Sequence, residues 1–272
     1  MTEWETLLTE ASQQVQRVAD SCLPASVRAR VVGTGASGDV TLVADRDAER
    51  EVVKVLSSAG ALRILSEEAG ELGEGGSRYV AVVDPLDGSS NFSRGIPFYC
   101  TSICVVEGRS LRDAKYALVR NLVNGDVYYA ERGRGARKNG ETIGPSSAKE
   151  LSDSVLAIDV SKATLETVRG LSPLISKVRR QVHFGANALE LCFVAEGVVD
   201  AFVDLRNRMR VTDLAGAYLI ATEAGAVVTS ETGGELDTSL DLGQRVNCVA
   251  AANSSLQGRL IAETGTLRRG TP

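Results

Sequence analysis

Asp84-Pro85-Leu86-Asp87-Gly88-Ser89-Ser90-Asn91-Phe92 follows the apolar run Tyr79 to Val83, which reads as a short buried strand. The strand is expected to end in a turn of Asp, Pro and Gly, so that two carboxylates three residues apart emerge from a rigid strand end. Gly88, Ser89 and Ser90 come next, with backbone N–H groups and hydroxyls suited to an anion. Hard divalent cations take carboxylate and carbonyl oxygens, and such a turn can aim Asp84, the Leu86 carbonyl and Asp87 at one point. A second acidic element, Glu67-Glu68, follows the apolar run Ala61 to Leu65. Where the two strand ends meet, metal ions can sit beside a phosphate. An isolated acid pair is more often a solvated turn or a helix cap, so the pair by itself decides nothing.

Working outward, the 272 residues are 43% hydrophobic, enough for one large core or two small ones. A net charge of −5 excludes the basic excess on which nucleic-acid coats and membrane-surface binders rely. The cysteines Cys22, Cys100, Cys104, Cys192 and Cys248 form no C-x-x-C pair, and His183 is the single histidine, too few soft ligands for zinc. Scattered thiols suit a reducing cytoplasm. No apolar run approaches the ~20 residues of a membrane span, and the acidic start Met1-Thr2-Glu3-Trp4-Glu5 lacks a signal pattern. A cytoplasmic protein without nucleic-acid or membrane partners is expected.

Helical spacing places Trp4, Leu7, Leu8, Ala11, Val15 and Val18 on one face of a helix over 4–19. Asp45 to Ser57 forms a second helix, with Asp45 as a favoured first-turn acid. Between them, Gly33 to Gly38 matches G-x-G-x-x-G. A dinucleotide fingerprint would need a helix opening inside it and an acid about 20 residues on. The clear helix begins later and the distant position is Leu56-Ser57-Ser58, so a flexible glycine loop is the expectation and a nucleotide-binding oxidoreductase the remote alternative. Phe98–Glu107, Lys115–Arg120 and Asp126–Glu131 read as strands of an antiparallel meander, with an Asn124-Gly125 hairpin turn. From Val155 onward strands and helices alternate: helix over 162–177, interrupted by Gly170 and Pro173; strand over 180–184; helix over 187–196; strand over 199–205; helix over 212–223; strands over 226–229 and 246–251; a last helix over 254–263. The expected fold is α/β, α+β in residues 1–150 and α/β in 151–265, with a flexible tail over 266–272.

The nonapeptide resembles the D-P-[IL]-D-G-[ST]-x-N-F signature of the inositol monophosphatase and fructose-1,6-bisphosphatase superfamily, and Glu67-Glu68 lies upstream at about that family's spacing. Thr212-Asp213-Leu214-Ala215-Gly216 resembles its W/T-D-x-A-G element, with Thr212 where the family usually has Trp, and Thr222-Glu223-Ala224-Gly225 resembles its T-E-A-G-G. Thr41 to Asp45 matches its T-x-x-x-D, and Gly185-Ala186-Asn187-Ala188-Leu189 resembles its G-[ST]-x-A-[LV] helix start, with Ala186 at the Ser/Thr position. The resemblance runs from about residue 5 to 263, and Asp204-Leu205-Arg206 looks like the archaeal dual-activity branch.

The resemblance implies a layered αβαβα sandwich and a Mg²⁺-dependent phosphomonoesterase, with two or three ions and Mn²⁺ as a substitute. It implies Glu67, Asp84, the Leu86 carbonyl, Asp87 and Asp213 as metal ligands, and Asp45 with Ser89 positioning the attacking water. Asp87, Gly88, Ser89, Asn187, Asp204, Arg206 and Arg210 would face a small phosphorylated sugar or cyclitol, inositol 1-phosphate or fructose 1,6-bisphosphate. An arginine fork suits a phosphate, although a solvated basic turn is the plainer reading of the Arg206 segment. No covalent intermediate and a homodimer are implied. Within the superfamily the rival substrate is a 3′-phosphoadenosine nucleotide or NADP. Outside it, a haloacid-dehalogenase-type phosphatase needs D-x-D rather than the D-x-x-D of Asp84 and Asp87, and a non-enzymatic scaffold would have lost the acids.

Overall fold

The computed structural model describes residues 2–35, 40–73 and 76–265. The glycine loop over 36–39 and the tail over 266–272, both expected to be flexible, lie outside the described residues.

Helix α1 (Glu3–Ser21) starts where the Thr2 side chain accepts a hydrogen bond from the Glu5 N–H at 3.2 Å, and it buries Leu8, Ala11, Val15 and Ala19 along one stripe. A short helix α2 (Ala25–Arg28) follows. Strands β1 (Val31–Thr34) and β2 (Val40–Leu42) pair antiparallel, and α3 (Val43–Ser57) begins only after them. The glycine motif therefore joins strand to strand, whereas a dinucleotide fingerprint joins strand to helix.

The first large sheet contains β3 (Leu62–Ser66), β4 (Gly70–Leu72), β5 (Tyr79–Asp87), β6 (Cys100–Val106), β7 (Ala114–Asn121), β8 (Val127–Glu131), β9 (Ala136–Lys138) and β10 (Glu141–Thr142). A six-residue helix α4 (Ser89–Arg94) lies between β5 and β6. The strand order is β10-β9-β8-β7-β6-β5-β3-β4, antiparallel throughout except for the parallel pair β3 and β5. That exception matters, because it sets the ends of β3 and β5, with their acids, side by side. Strand β5 runs further than the apolar pattern indicated: Asp84 and Asp87 still pair with β6, opposite Ser102 and Cys100, across a register irregularity. The acids therefore sit on a bulged strand end rather than in a turn beyond it, and bulges of this kind re-aim side chains.

The second sheet contains β11 (Val155–Asp159), β12 (Arg180–Val182), β13 (Ala201–Met209), β14 (Val227–Thr229) and β15 (Val246–Ala251), in the order β12-β11-β13-β15-β14. β12, β11 and β13 are parallel, with Asp159, the last residue of β11, beside Asp204 of β13. β13 also outruns its sequence pattern, reaching Met209 through a register shift at which Asn207 takes φ 52°. The helices of this half are α5 (Leu165–Lys177), α6 (Asn187–Ala195), α7 (Val211–Ala224) and α8 (Ser254–Thr264). Helix α5 is continuous through Pro173, correcting the expected interruption. The Arg169 carbonyl, which a proline cannot bond, accepts instead from the Ser172 hydroxyl at 2.7 Å.

Five layers result. Period-two alternation along β5 sends Ala81 and Val83 to one face, under Leu8, Val15, Val52 and Leu56 of α1 and α3. Val80 and Val82 point the other way, into a core that also holds Leu189, Leu214 and Leu219 of α6 and α7 and Phe202 and Ala250 of the second sheet. Leu171, Leu174, Leu256 and Leu260 of α5 and α8 cover the far face of that sheet. Helix α7 is buried nearly all round, which is why its sequence carries no polar stripe. The layer sequence is the αβαβα sandwich that the resemblance implied.

Candidate active site

Three chain segments meet at one end of these layers. Glu67 follows β3, and its N–H donates to the Val83 carbonyl at 3.3 Å. Asp84 lies on β5, 2% exposed, with Oδ1 accepting from the Leu86 N–H at 3.0 Å. Asp213 is the third residue of α7 and accepts from Thr212 Oγ1 at 3.1 Å. One carboxylate oxygen from each of Glu67, Asp84 and Asp213 lies within 4.8 Å of the others. Oxygens on opposite sides of an octahedral Mg²⁺ are about 4.2 Å apart, so the trio fits a small hard cation with little adjustment.

Electrostatics agree with that donor set. Burial, then the charges of Glu67, Asp87 and Asp213, pushes Asp84 well above the usual carboxylate range. Burial and Asp213 push Glu67 up to about 8, although Arg210 acts against them. Asp213 is raised by burial. Carboxylates packed this way repel one another, and a bound cation is what favours their charged form.

Asp87 takes a different position. Its Oδ2 accepts from the Ala188 N–H of α6 at 2.8 Å, beside the Cys100 thiol, and it is not one of the three converging acids. Burial and the Asp213 charge raise it. Gly88, Asn91 and Phe92 set the shape of the rest of the nonapeptide. Gly88 has φ 90°, and a Cβ there would come within 3.0 Å of the Phe98 carbonyl and 3.1 Å of Ala186 Cβ, so the chain reverses onto Ser89 only with glycine. Asn91 Nδ2 donates to the Phe98 and Phe184 carbonyls at 2.8 and 2.6 Å, and Phe92 packs edge-on against Tyr99. Ser89 opens α4.

A cleft of about 790 Å³ is lined by Glu67, Asp84 and Asp213 and reaches Asp45, Gly88, Ser89, Asn187, Arg206 and Arg210, whereas Asp87, expected to face the substrate, is not on its wall. Asp45 is the third residue of α3, in its first turn; Oδ2 accepts from the Leu42 N–H at 2.7 Å, whereas buried Oδ1 has no partner among the described residues. Burial pushes its carboxyl up to about 7, with Glu68 and Glu49 adding to the rise. Arg206 is clamped: Nε and Nη2 donate to Asp204 at 2.9 and 2.7 Å, Nη2 also meets Asp159 at 2.5 Å, and Nη1 reaches the Ser161 carbonyl at 2.9 Å. Asp204 is fully buried behind Arg206 and off the cleft wall, because its place on β13 commits both oxygens to the guanidinium. Arg210, the residue before α7, pairs through Nη1 with Glu67 Oε1.

Several cleft residues were missed in the sequence. Asp159, Ser161, Lys162 and His183 line it from the ends of β11 and β12, with Ser161 Oγ 3.1 Å from His183 Nε2. Parallel strand ends form crevices of this kind, but only the pairing of β11 with β13 brings Asp159 to Asp204, and no local motif announces it.

The inositol monophosphatase family model matches residues 2–269. The chain belongs to the inositol monophosphatase family. A fructose-1,6-bisphosphatase/inositol-1-monophosphatase of Methanothermobacter thermautotrophicus is 36% identical over 269 residues, 95% of each chain. A bifunctional NADP phosphatase/NAD kinase of Methanococcus maripaludis is 32% identical over 261 residues, but those cover 89% of this chain and only 46% of that protein. Among solved structures, an inositol monophosphatase–fructose 1,6-bisphosphatase superposes with a TM-score of 0.85 at 31% identity, covering 96% of this chain and all of the other. Membership in the inositol monophosphatase family accounts for the five layers and for the acids at their edge. Among the described residues, no helix is long and apolar enough to cross a membrane.

Proposed function

We propose that the protein is a Mg²⁺-dependent phosphomonoesterase acting on inositol 1-phosphate and fructose 1,6-bisphosphate, without a covalent intermediate. The observation that carries this reading is the convergence of Glu67, Asp84 and Asp213 inside a polar cleft. When bound there, Mg²⁺ supplies Lewis acidity that lowers the pKa of a coordinated water and neutralises charge on the departing oxygen. Glu67, Asp84 and the Leu86 carbonyl would hold one ion, and Asp84, Asp87 and Asp213 a second. Asp87 keeps one oxygen for Ala188 and has the other to offer.

Asp45 suits the role of base, since its buried Oδ1 has no partner among the described residues and a carboxyl near pH 7 is poised to accept a proton from water. Ser89 orients that water, and the N–H groups of Gly88 and Ser89 receive the phosphate. Asn187 and Arg206 face the sugar or cyclitol, with Asp204 and Asp159 fixing the Arg206 plane.

A second phosphate finds support as well. Lys162 and Arg208 line the same cleft, and among the described residues neither has a carboxylate within ion-pair distance. Lys162 holds φ 58°, as Asn207 beside Arg208 holds 52°, and strain of this kind collects at binding sites. This favours the bisphosphate over the monophosphate. An NADP-type substrate is the second reading, favoured by the related phosphatase domain. A homodimer belongs to the same proposal and is read by sedimentation.

The test is phosphate release from fructose 1,6-bisphosphate, inositol 1-phosphate and NADP, side by side. EDTA should abolish release and Mg²⁺ restore it. Asp84→Asn should lose more than about a hundredfold in kcat, since even outer-shell partners of a metal cost 10–100-fold. Release that survives EDTA, or an Asp84→Asn rate close to that of the parent, rejects the metal mechanism.

A further inference from the structure

We infer that Arg210 is the internal counter-ion of the metal centre, stabilising the cation-free protein and holding down its affinity for the cation. This rests on the metal-centre reading above and goes beyond it, because it assigns to Arg210 an effect on loading rather than a contact with substrate.

The geometry comes from two sides of Arg210. Its guanidinium Nη1 lies on Glu67 Oε1, and its backbone N–H faces Asp213 Oδ2 at 3.4 Å. It therefore meets two of the three converging acids. Its backbone is fixed between Met209 and Val211, both buried, at the junction of β13 and α7. The Glu67 and Arg210 side chains are each only 15% exposed, so water screens their interaction weakly.

Two neighbouring cations, Arg206 and Arg245, are committed elsewhere. Arg206 is held by Asp204 and Asp159. Arg245 donates through Nη1 to the Leu242 and Gln244 carbonyls at 2.6 and 2.8 Å and reaches Asp213 only through its longer-range field. Among the described residues, Arg210 is the cation in an ion pair with the trio.

Two effects of opposite sign follow. Without a divalent ion, Glu67, Asp84 and Asp213 repel one another, and Arg210 offsets part of that repulsion. With the ion, Arg210 becomes a like charge beside it and opposes binding. The neutralised site should empty readily, so that the protein responds to cation concentration rather than retaining the ion permanently.

The experiment is calorimetric titration of Mg²⁺ into the metal-free full chain, for the parent protein, Arg210→Met, Arg210→Gln and Arg210→Lys, with melting temperatures taken with and without Mg²⁺. Removing the charge should tighten Mg²⁺ binding on the order of tenfold, as expected for a unit charge this close in a partly buried site. Arg210→Met and Arg210→Gln should melt lower than the parent without Mg²⁺ and gain more from its addition. Arg210→Lys, which keeps the charge, should bind as the parent does. Unchanged or weaker binding in both neutral variants would overturn the inference and leave Arg210 a holder of Glu67. Absence of Mg²⁺ binding in the parent protein itself would instead remove the metal-centre reading underneath.

Discussion

Glu190 shows how one side chain's environment becomes a measurable property. It is fully buried on α6; Oε1 accepts from the Gly185 and Phe184 N–H groups at 2.8 and 3.2 Å, and Oε2 has no partner among the described residues. Burial pushes its carboxyl up to about 7, the two N–H groups acting against the rise and Asp159 adding to it. The folded state therefore keeps a proton that the unfolded chain releases near the ordinary value of 4.5. Between those two pH values the folded state binds more protons, so stability falls as pH rises, by an amount on the order of 2–3 kcal/mol. Glu190→Gln cannot titrate. Denaturant unfolding at pH 5, 6, 7 and 8, at constant Mg²⁺, should show the variant gaining on the parent across that window. Parallel profiles would mean that Glu190 is charged throughout.

At the scale of the element, α7 ties the site to the core. Gly216 lies one turn beyond Asp213, and a Cβ built on it would come within 2.5 Å of Ser102 Oγ and 3.5 Å of Val119 Cγ2. The helix thus presses onto β6 and β7 through a position with no room for a side chain. Gly216→Val should cost about 1–3 kcal/mol by overpacking. Because Asp213 rides on the same helix, Mg²⁺ binding should weaken too; a drop in melting temperature with unaltered Mg²⁺ affinity would show that α7 shifts without carrying Asp213. Legibility differed by element for physical reasons. Asp84 to Phe92 announced itself because turn, glycine and acids are local. The full lengths of β5 and β13 did not, because past Val83 and Leu205 their pairing is held by backbone hydrogen bonds across bulges rather than by apolar alternation. Pro173 misled because the Ser172 hydroxyl satisfies the Arg169 carbonyl, a compensation no propensity scale carries. Asp204 was expected to face the substrate because Asp204-Leu205-Arg206 resembles the archaeal dual-activity branch; the folded structure turns both its oxygens to Arg206.

Across the whole molecule, chain order and spatial order disagree in a way that bears on stability. Residues 1–150 and 151–265 read as two subdomains of one domain, the second completing the site, and each half holds a large sheet of its own. Yet α6 and α7, from the second, share one core with Val82, Cys104, Val119 and Tyr128 of the first. Glu67 and Asp84 come from one half and Asp213 from the other. We expect a single thermal transition, shifted upward as a unit by Mg²⁺; at about 100 times its Kd the ion should add about 2.7 kcal/mol. Two transitions, with only one moved by Mg²⁺, would show that the halves melt independently. The layers were implied by the resemblance, and Glu67, Asp84 and Asp213 stood out because each lies in a local motif. The far end of the cleft, with Asp159, Ser161, Lys162 and His183, was not, because it exists only where separate strand ends meet.

The most direct measurement is the anomalous scattering of Mn²⁺ in crystals of the full-length protein. Two peaks are predicted at about 2.1–2.2 Å from carboxylate oxygens, one held by Glu67 and Asp84 and the other by Asp84 and Asp213, near the distance a small hard cation takes from oxygen. Peaks bound elsewhere, or well-ordered crystals in which Asp84 shares no ion with either Glu67 or Asp213 at saturating Mn²⁺, would contradict this.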